Sequence, residues 1–174
     1  MHLFRRGAFA YMRYYMNSKN MYKFLYRLFD GVTPIYEDCG SICSSACCKG
    51  DDKTGMLLFP NEQTSLSVIE KDGVSLAVCD GKCRREERPL SCRIFPFFPT
   101  VDENGEIIVS IDSRAFNICP LARNHNEVRF SPLFIRHVRI AGQIMMKDPE
   151  CRKFIEEITK EIEDINLAHK MLIE

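Results

Sequence analysis

Apolar residues recur at helical spacing near both ends of the chain and fall into short, turn-punctuated runs between them. Near the start, Ser18 is placed to cap a helix through KNMYKFLYRLFD, which Gly31 and Pro34 then end. Toward the other end, Ser131-Pro132 combines a cap with a proline at the first helical position. Phe134, Val138, Ala141 and Met145 follow on one face. Asp148-Pro149 starts a longer helix whose apolar stripe is Cys151, Phe154, Ile155, Ile158, Ile162, Ile165 and Leu172.

The middle of the chain, from Cys39 to Pro120, has a different texture. Asn61-Glu62 is read as the start of a short helix through QTSLSVIE. Glu62 then serves as a first-turn carboxylate, the alternative being an acceptor for a neighbouring loop. Asp72-Gly73 marks a turn, and VSLAV is a strand that runs into Cys79. Asn104-Gly105 separates FFPTV from EIIVSI in the pattern of a β-hairpin. Pro96 and Pro99 restrict the first arm to a sheet edge or an irregular extended path.

With no internal repeat, low-complexity tract or long linker, residues 1–174 are expected to form a single domain. Its parts are a helical segment over 1–36, a turn-rich core over 39–120, and helices over 131–174. The expected class is α+β: a small irregular cysteine-rich centre with a β-hairpin, flanked by N-terminal and C-terminal helices. A chain of 174 residues can bury a core without staples, so cysteines are not needed merely to hold it together.

Charge narrows the partners. The formal net charge is zero, which gives no global attraction to nucleic acid. Locally the first 36 residues are basic, with Arg5, Arg6, Arg13, Lys19, Lys23 and Arg27 against Asp30. The arginines also interrupt MHLFRRGAFAYMRYYM, unlike the apolar run of an export leader. No stretch reaches the roughly 18 uncharged apolar residues of a spanning helix. The expected setting is the cytoplasm, where thiols stay reduced and clustered cysteines more often hold metal than pair as disulfides. From 147 to 174, five basic and eight acidic side chains are read as a solvated helix face.

That setting gives the nine cysteines their chemistry. Eight lie between Cys39 and Cys119, enough for two four-sulfur sets: Cys39, Cys43, Cys47, Cys48, Cys79, Cys83, Cys92 and Cys119. In CGSICSSACC, the residues Cys39, Cys43 and Cys47 are spaced by four. On a helix they would share one face with a drift of about 40° per step, while Cys48 would point about 100° away, toward a second site. Cys79 and Cys83 flank an Asp80-Gly81 turn that can bring two sulfurs to one side. Cys92 and Cys119 can complete either set, and spacing alone leaves the partition open.

Zinc in closed four-thiolate sites would make a structural module, whereas an iron-sulfur cluster would bring electron transfer. Either carries net negative charge, and Arg88 and Arg93 are the candidates to donate toward the sulfurs. Arg84 and Arg85 are read as solvated surface residues, His125 and His137 as surface or packing residues, and Cys151 as a small apolar group on its helix stripe.

These residues resemble a family. CGSICSSACC, then VCDGKCRREERPLSCRIFPFFP, then NICP is similar to the YkgJ-type cysteine-cluster family, a zinc- or iron-chelating domain with a CxxCxxxCC signature. The resemblance spans Cys39 to Pro120, and RPLSCRIFPF, at Arg88 to Phe97, is its most specific piece, similar to RPxxCRxYPF. Two departures stand out: three residues rather than two separate Cys39 from Cys43, and Phe95 occupies a position where tyrosine is common. Because that family includes flagellin lysine N-methylases, the resemblance also implies an alternative activity, S-adenosylmethionine-dependent methylation of a protein lysine with flagellin as partner. Against it, no glycine-rich turn follows a strand near the N-terminus. The first cysteines also run C-x3-C-x3-C, where the radical signature is C-x3-C-x2-C.

Overall fold

The computed structural model describes residues 18–50, 54–79, 81 and 83–171. Arg5, Arg6, Arg13 and Leu172 of the sequence reading, together with Asp80, lie outside these residues. The first described element, α1 (Ser18–Leu28), buries Met21, Tyr22 and Leu25 and leaves Lys19, Lys23 and Arg27 exposed. Phe29 continues the apolar face, and Gly31, at φ +70°, turns the chain away from it.

The C-terminal helices form as their caps dictate. In α5 (Pro132–Met145), the Phe134 N–H donates to Ser131 Oγ at 3.4 Å, and Phe134, Val138, Ala141 and Met145 are fully buried. In α6 (Pro149–Met171), the N–H groups of Glu150 and Cys151 both donate to Asp148 Oδ1 at 3.0 Å. Cys151, Ile155, Ile158 and Ile162 are buried along it, while Phe154 is half-buried against Phe59.

Two antiparallel sheets complete the α+β fold. The first has the order β1 (Met56–Leu57), β3 (Val74–Val78), β2 (Ser67–Lys71). Here SVIE is strand, not the helix expected from Asn61. Asn61 adopts φ +61°, which does not start a right-handed helix, and Asp72 and Gly73, both at positive φ, form a two-residue turn that pairs Lys71 with Val74.

The second sheet is the expected hairpin, β4 (Phe97–Val101) with β5 (Ile107–Ile111), in the register Phe97 to Ile111 through Val101 to Ile107. Asp102 Oδ1 accepts from the N–H groups of Asn104 and Glu106, and Gly105 takes φ +79°. Pro99 sits in β4 at no cost to the ladder. The N–H of Val101, two residues on and therefore on the same side, points away from β5 to Thr159 Oγ1.

Helices α5 and α6 pack on this hairpin, and α1 packs on α5. The core between them is aromatic: Phe134 lies 5.6 Å from Phe29 and 5.9 Å from Phe97, and Phe59 stacks on Phe98 at 5.8 Å. Among the described residues, no helix is long and apolar enough to cross a membrane.

Gly142 is where α5 meets the hairpin most closely, since a Cβ there would come 2.6 Å from Pro99 Cβ and 2.9 Å from Ile107 Cγ2. The proline ring cannot swing aside. Gly142→Ala therefore trades about 1 kcal/mol of helix propensity for an overpacking cost of about 1–3 kcal/mol. A lower midpoint in thermal unfolding is the expected outcome.

Candidate metal centre

The first four cysteines do not share one helix. Cys39 and Cys43 lie on a single turn, α2 (Gly40–Cys43), with Cys43 Sγ 3.8 Å from the Cys39 carbonyl. Ser44 and Ser45, at φ 51° and 56°, then break the helix, and Cys47 and Cys48 belong to a separate tight turn, Ala46–Cys48. The continuous face expected for Cys39, Cys43 and Cys47 is thus replaced by two short turns joined at a left-handed kink. Propensity gave no warning, because serine tolerates the kink without advertising it.

The next cysteines come from the small sheet and the loop after it. β3 delivers Cys79 to a point where the Gly50 N–H donates to the Cys79 carbonyl at 2.8 Å, tying the Cys47-Cys48 turn to the strand end. Gly81, at φ +87°, turns its N–H back onto Cys79 Sγ at 3.4 Å. Cys83 follows, with its thiol hydrogen-bonded to both Cys79 and Arg88. Cys92 rides on α3 (Leu90–Ile94) and is half-buried.

Glu62 holds α3 in place. Its carboxylate accepts from Leu90 N at 2.6 Å, Tyr26 Oη at 2.7 Å and Phe59 N at 3.1 Å. Burial pushes its pKa up in spite of these donors. The expected first-turn role is corrected: Glu62 pins the start of the Cys92 helix to α1. The signal in the sequence was only its place beside a proline and asparagine in a turn.

Cys119 precedes α4 (Pro120–Arg123) at its N-terminal boundary, and burial pushes its thiol pKa up. It packs in a small apolar cluster with Ala115, Leu121 and Ala122, against which Cys39, Phe95 and Phe116 lie.

Arginines organise the loop between Cys83 and Cys92. Arg93 is almost wholly buried and donates to the carbonyls of Arg88, Tyr26, Arg85 and Glu86 and to Asp30 Oδ1, with its guanidinium 4.6 Å from the Tyr26 ring centre. Arg85, expected to be solvated, instead donates to the carbonyls of Phe29 and Val32 at 2.9 and 2.7 Å and closes the end of α1. Arg84 remains exposed and pairs with Glu87.

Arg88 is the guanidinium that faces sulfur. Burial alone would lower its pKa, but the hydrogen bond with Cys83 and the proximity of Cys48 and Cys92 outweigh it and raise it. Its Nε is buried without a partner.

All nine cysteines are free thiols. Among the described residues, no three His, Cys, Asp or Glu side chains converge as ligands of one ion; the thiols meet in pairs, Cys47 with Cys48 and Cys79 with Cys83. Away from the cluster, Cys151 lies 3.5 Å from Tyr22 Oη, and burial pushes its thiol up to about 12. His125 bonds the Ala122 carbonyl and stacks on Phe116, and His137 meets Phe29 edge-on.

The two adjacent thiols are inequivalent. Cys47 donates to Cys48, which with help from Arg88 brings Cys48 down to about 6 and pushes Cys47 up. In the reduced, metal-free protein, Cys48 is therefore the more acidic thiol of the pair. Iodoacetamide labelling read by peptide mass spectrometry should modify Cys48 first, with a rate that falls as pH drops through about 6. Cys47→Ala should move that midpoint up, and Cys47→Ser, which keeps a donor, should move it less. No family model, curated protein or solved structure matches the chain.

Proposed function

We propose that the protein is a cysteine-cluster metal-binding protein that holds zinc or iron, iron as an iron-sulfur cluster included, through Cys39, Cys43, Cys47, Cys48, Cys79, Cys83, Cys92 and Cys119. The observation that carries this reading is the setting of Arg88. A half-buried guanidinium hydrogen-bonded to Cys83 and close to Cys48 and Cys92 is surrounded by groups that are uncharged as thiols. A permanent cation gains most there when those sulfurs are ionised, and metal binding is the general way to keep several neighbouring thiols ionised together.

The donor chemistry suits such a group, while among the described residues the thiols meet in pairs and not as a closed set. The donors are free thiols, a backbone N–H already points at Cys79, and the Arg88 Nε has hydrogen-bonding capacity in reserve. Zinc when bound would supply cross-linking free energy to the fold, and a cluster would supply a one-electron couple. The chain itself positions the sulfurs: Glu62 sets the start of the Cys92 helix, β3 sets Cys79, and Arg93 fixes the loop that presents Arg88. Resemblance to the YkgJ-type family supports the same reading, and a reducing compartment such as the cytoplasm suits free thiols.

Protein purified anaerobically under reducing conditions should carry stoichiometric zinc or iron by elemental analysis, and colour with acid-labile sulfide identifies a cluster. Arg88→Gln should weaken metal retention in competition with a chelator by about 10–100-fold, the usual effect of losing a hydrogen-bond partner to a ligand. A metal-free protein whose unfolding midpoint is unmoved by added zinc or iron overturns the proposal.

A further inference from the structure

We infer that the cavity lined by both sheets is a binding site for a small uncharged aromatic molecule bearing a carbonyl or hydroxyl group, with Ser91 as the residue that hydrogen-bonds it. The site is built from its own walls and is independent of whether the cysteines hold metal.

The cavity has a volume of about 480 Å³, within the roughly 300–1,000 Å³ of small-molecule sites. Leu57 and Leu76 line it from the first sheet, Phe97 and Phe98 from the hairpin, and Ile158 from α6. Phe59 and Phe95 add two more rings to this lining, and Phe59 and Phe98 lie nearly parallel, their planes 6° apart. Aromatic rings gain from offset or edge contacts with one another beyond the area they bury, which favours an aromatic body over an aliphatic one.

The hydrogen-bonding group comes from α3. Ser91, Ile94 and Phe95 all line the cavity, and their i, i+3, i+4 spacing places Ser91 on the face turned to it. Ser91 is only 8% exposed, and its Oγ has no hydrogen-bond partner. Most buried hydroxyls are satisfied, and on a helix the carbonyl one turn back is the usual acceptor. A ligand carbonyl or hydroxyl against this face gives Ser91 the partner that the protein does not.

Charge on the walls favours a neutral guest. Among the described lining residues, Lys49, Lys71 and Arg114 are matched by Asp72, Asp112 and Glu161. Arg114 is held by Asp112 at 2.8 Å and Glu161 at 3.3 Å, so its guanidinium is offset by carboxylates of the protein itself. An ionic ligand would give up its water and meet no unbalanced opposite charge. Cys47, Cys48 and Cys79 also line the cavity, so a bound molecule occupies space beside these thiols and limits access to them.

The test is fluorescence titration of the full chain, as purified, with Prodan, a neutral naphthalene ketone whose emission moves to the blue in apolar surroundings. Wild type should saturate at about one equivalent with blue-shifted emission. 2-Naphthol, uncharged at neutral pH, should displace the dye, and 2-naphthoate should do so about 10-fold less well. Leu76→Trp, which fills the cavity from β3, should abolish binding, and saturating Prodan should slow iodoacetamide labelling of Cys48. Ser91→Ala should weaken binding about 3–10-fold, the usual worth of one neutral hydrogen bond. The same variant should raise the thermal midpoint of the ligand-free protein, because it removes a buried hydroxyl that has no partner; a serine with a structural bond would lower it. Circular dichroism checks that the variants fold, and the wild-type titrations stand whether or not they do. An absence of saturable binding to wild type, or undiminished binding to folded Leu76→Trp, overturns the site. Equal displacement by 2-naphthoate overturns the uncharged ligand, and undiminished binding to folded Ser91→Ala overturns the role of Ser91.

Discussion

The guanidinium of Arg93 joins the two halves of this molecule. It is buried between α1 and the loop that carries Arg85, Glu86 and Arg88, and its donor bonds end on Tyr26 of α1, on Asp30 just past that helix, and on the loop. Its planar fork can serve several carbonyls at once, which a lysine ammonium on a flexible stem does less well. With Arg85 closing the end of α1 and Glu62 tying α1 to α3, the cysteine loop is fastened to the helical core at three points. None of the three is a hydrophobic contact.

That matters because apolar burial is unevenly shared. The aromatic and aliphatic core lies among α1, α5, α6 and the β4-β5 hairpin. The cysteine half reaches that core through Leu90 and Ile94 of α3, and otherwise has, among the described residues, the small cluster around Ala115, Cys119, Leu121 and Ala122 and a short sheet whose β2 strand is largely exposed. Backbone order there is bought with side-chain bonds to carbonyls and N–H groups, each worth about 0.5–1.5 kcal/mol net. Such a region gains most from a cross-link that acts at several residues together, and bound metal is one that eight free thiols can accept.

Elements governed by local chemistry were legible in the sequence. Ser131-Pro132 and Asp148-Pro149 start helices because the cap and the fixed proline φ act within one turn, and Asn104-Gly105 makes its hairpin for the same kind of reason. What escaped was set by distant partners. SVIE has enough apolar character for a helix, but pairing with VSLAV through the Asp72-Gly73 turn decides for strand. Glu62 looks like a helix-opening carboxylate, yet its partners are Tyr26 and Leu90, far from it in the chain. Arg85 looks solvated, and its carbonyl acceptors are Phe29 and Val32, in the turn that follows α1. The cysteines were legible as a set but not in their arrangement, because the left-handed kink at Ser44-Ser45 reorients Cys47 and Cys48 and no feature of the pattern CGSICSSACC requires it.

The kink also explains why two adjacent cysteines are useful. Thiolates repel one another, and eight of them around one point would exceed what one or two arginines can offset. Separate turns at Gly40–Cys43 and Ala46–Cys48 present Cys43 and the Cys47-Cys48 pair from different stretches of backbone. Near Cys48 stands Arg88, fastened to the core through the Arg93 bond to its carbonyl and turned toward sulfur with its side chain. Backbone tether and side-chain charge in one residue make the cation a fixed part of the fold. Cys48, Cys83 and Cys92 therefore lie near a positive charge that the fold itself holds in place.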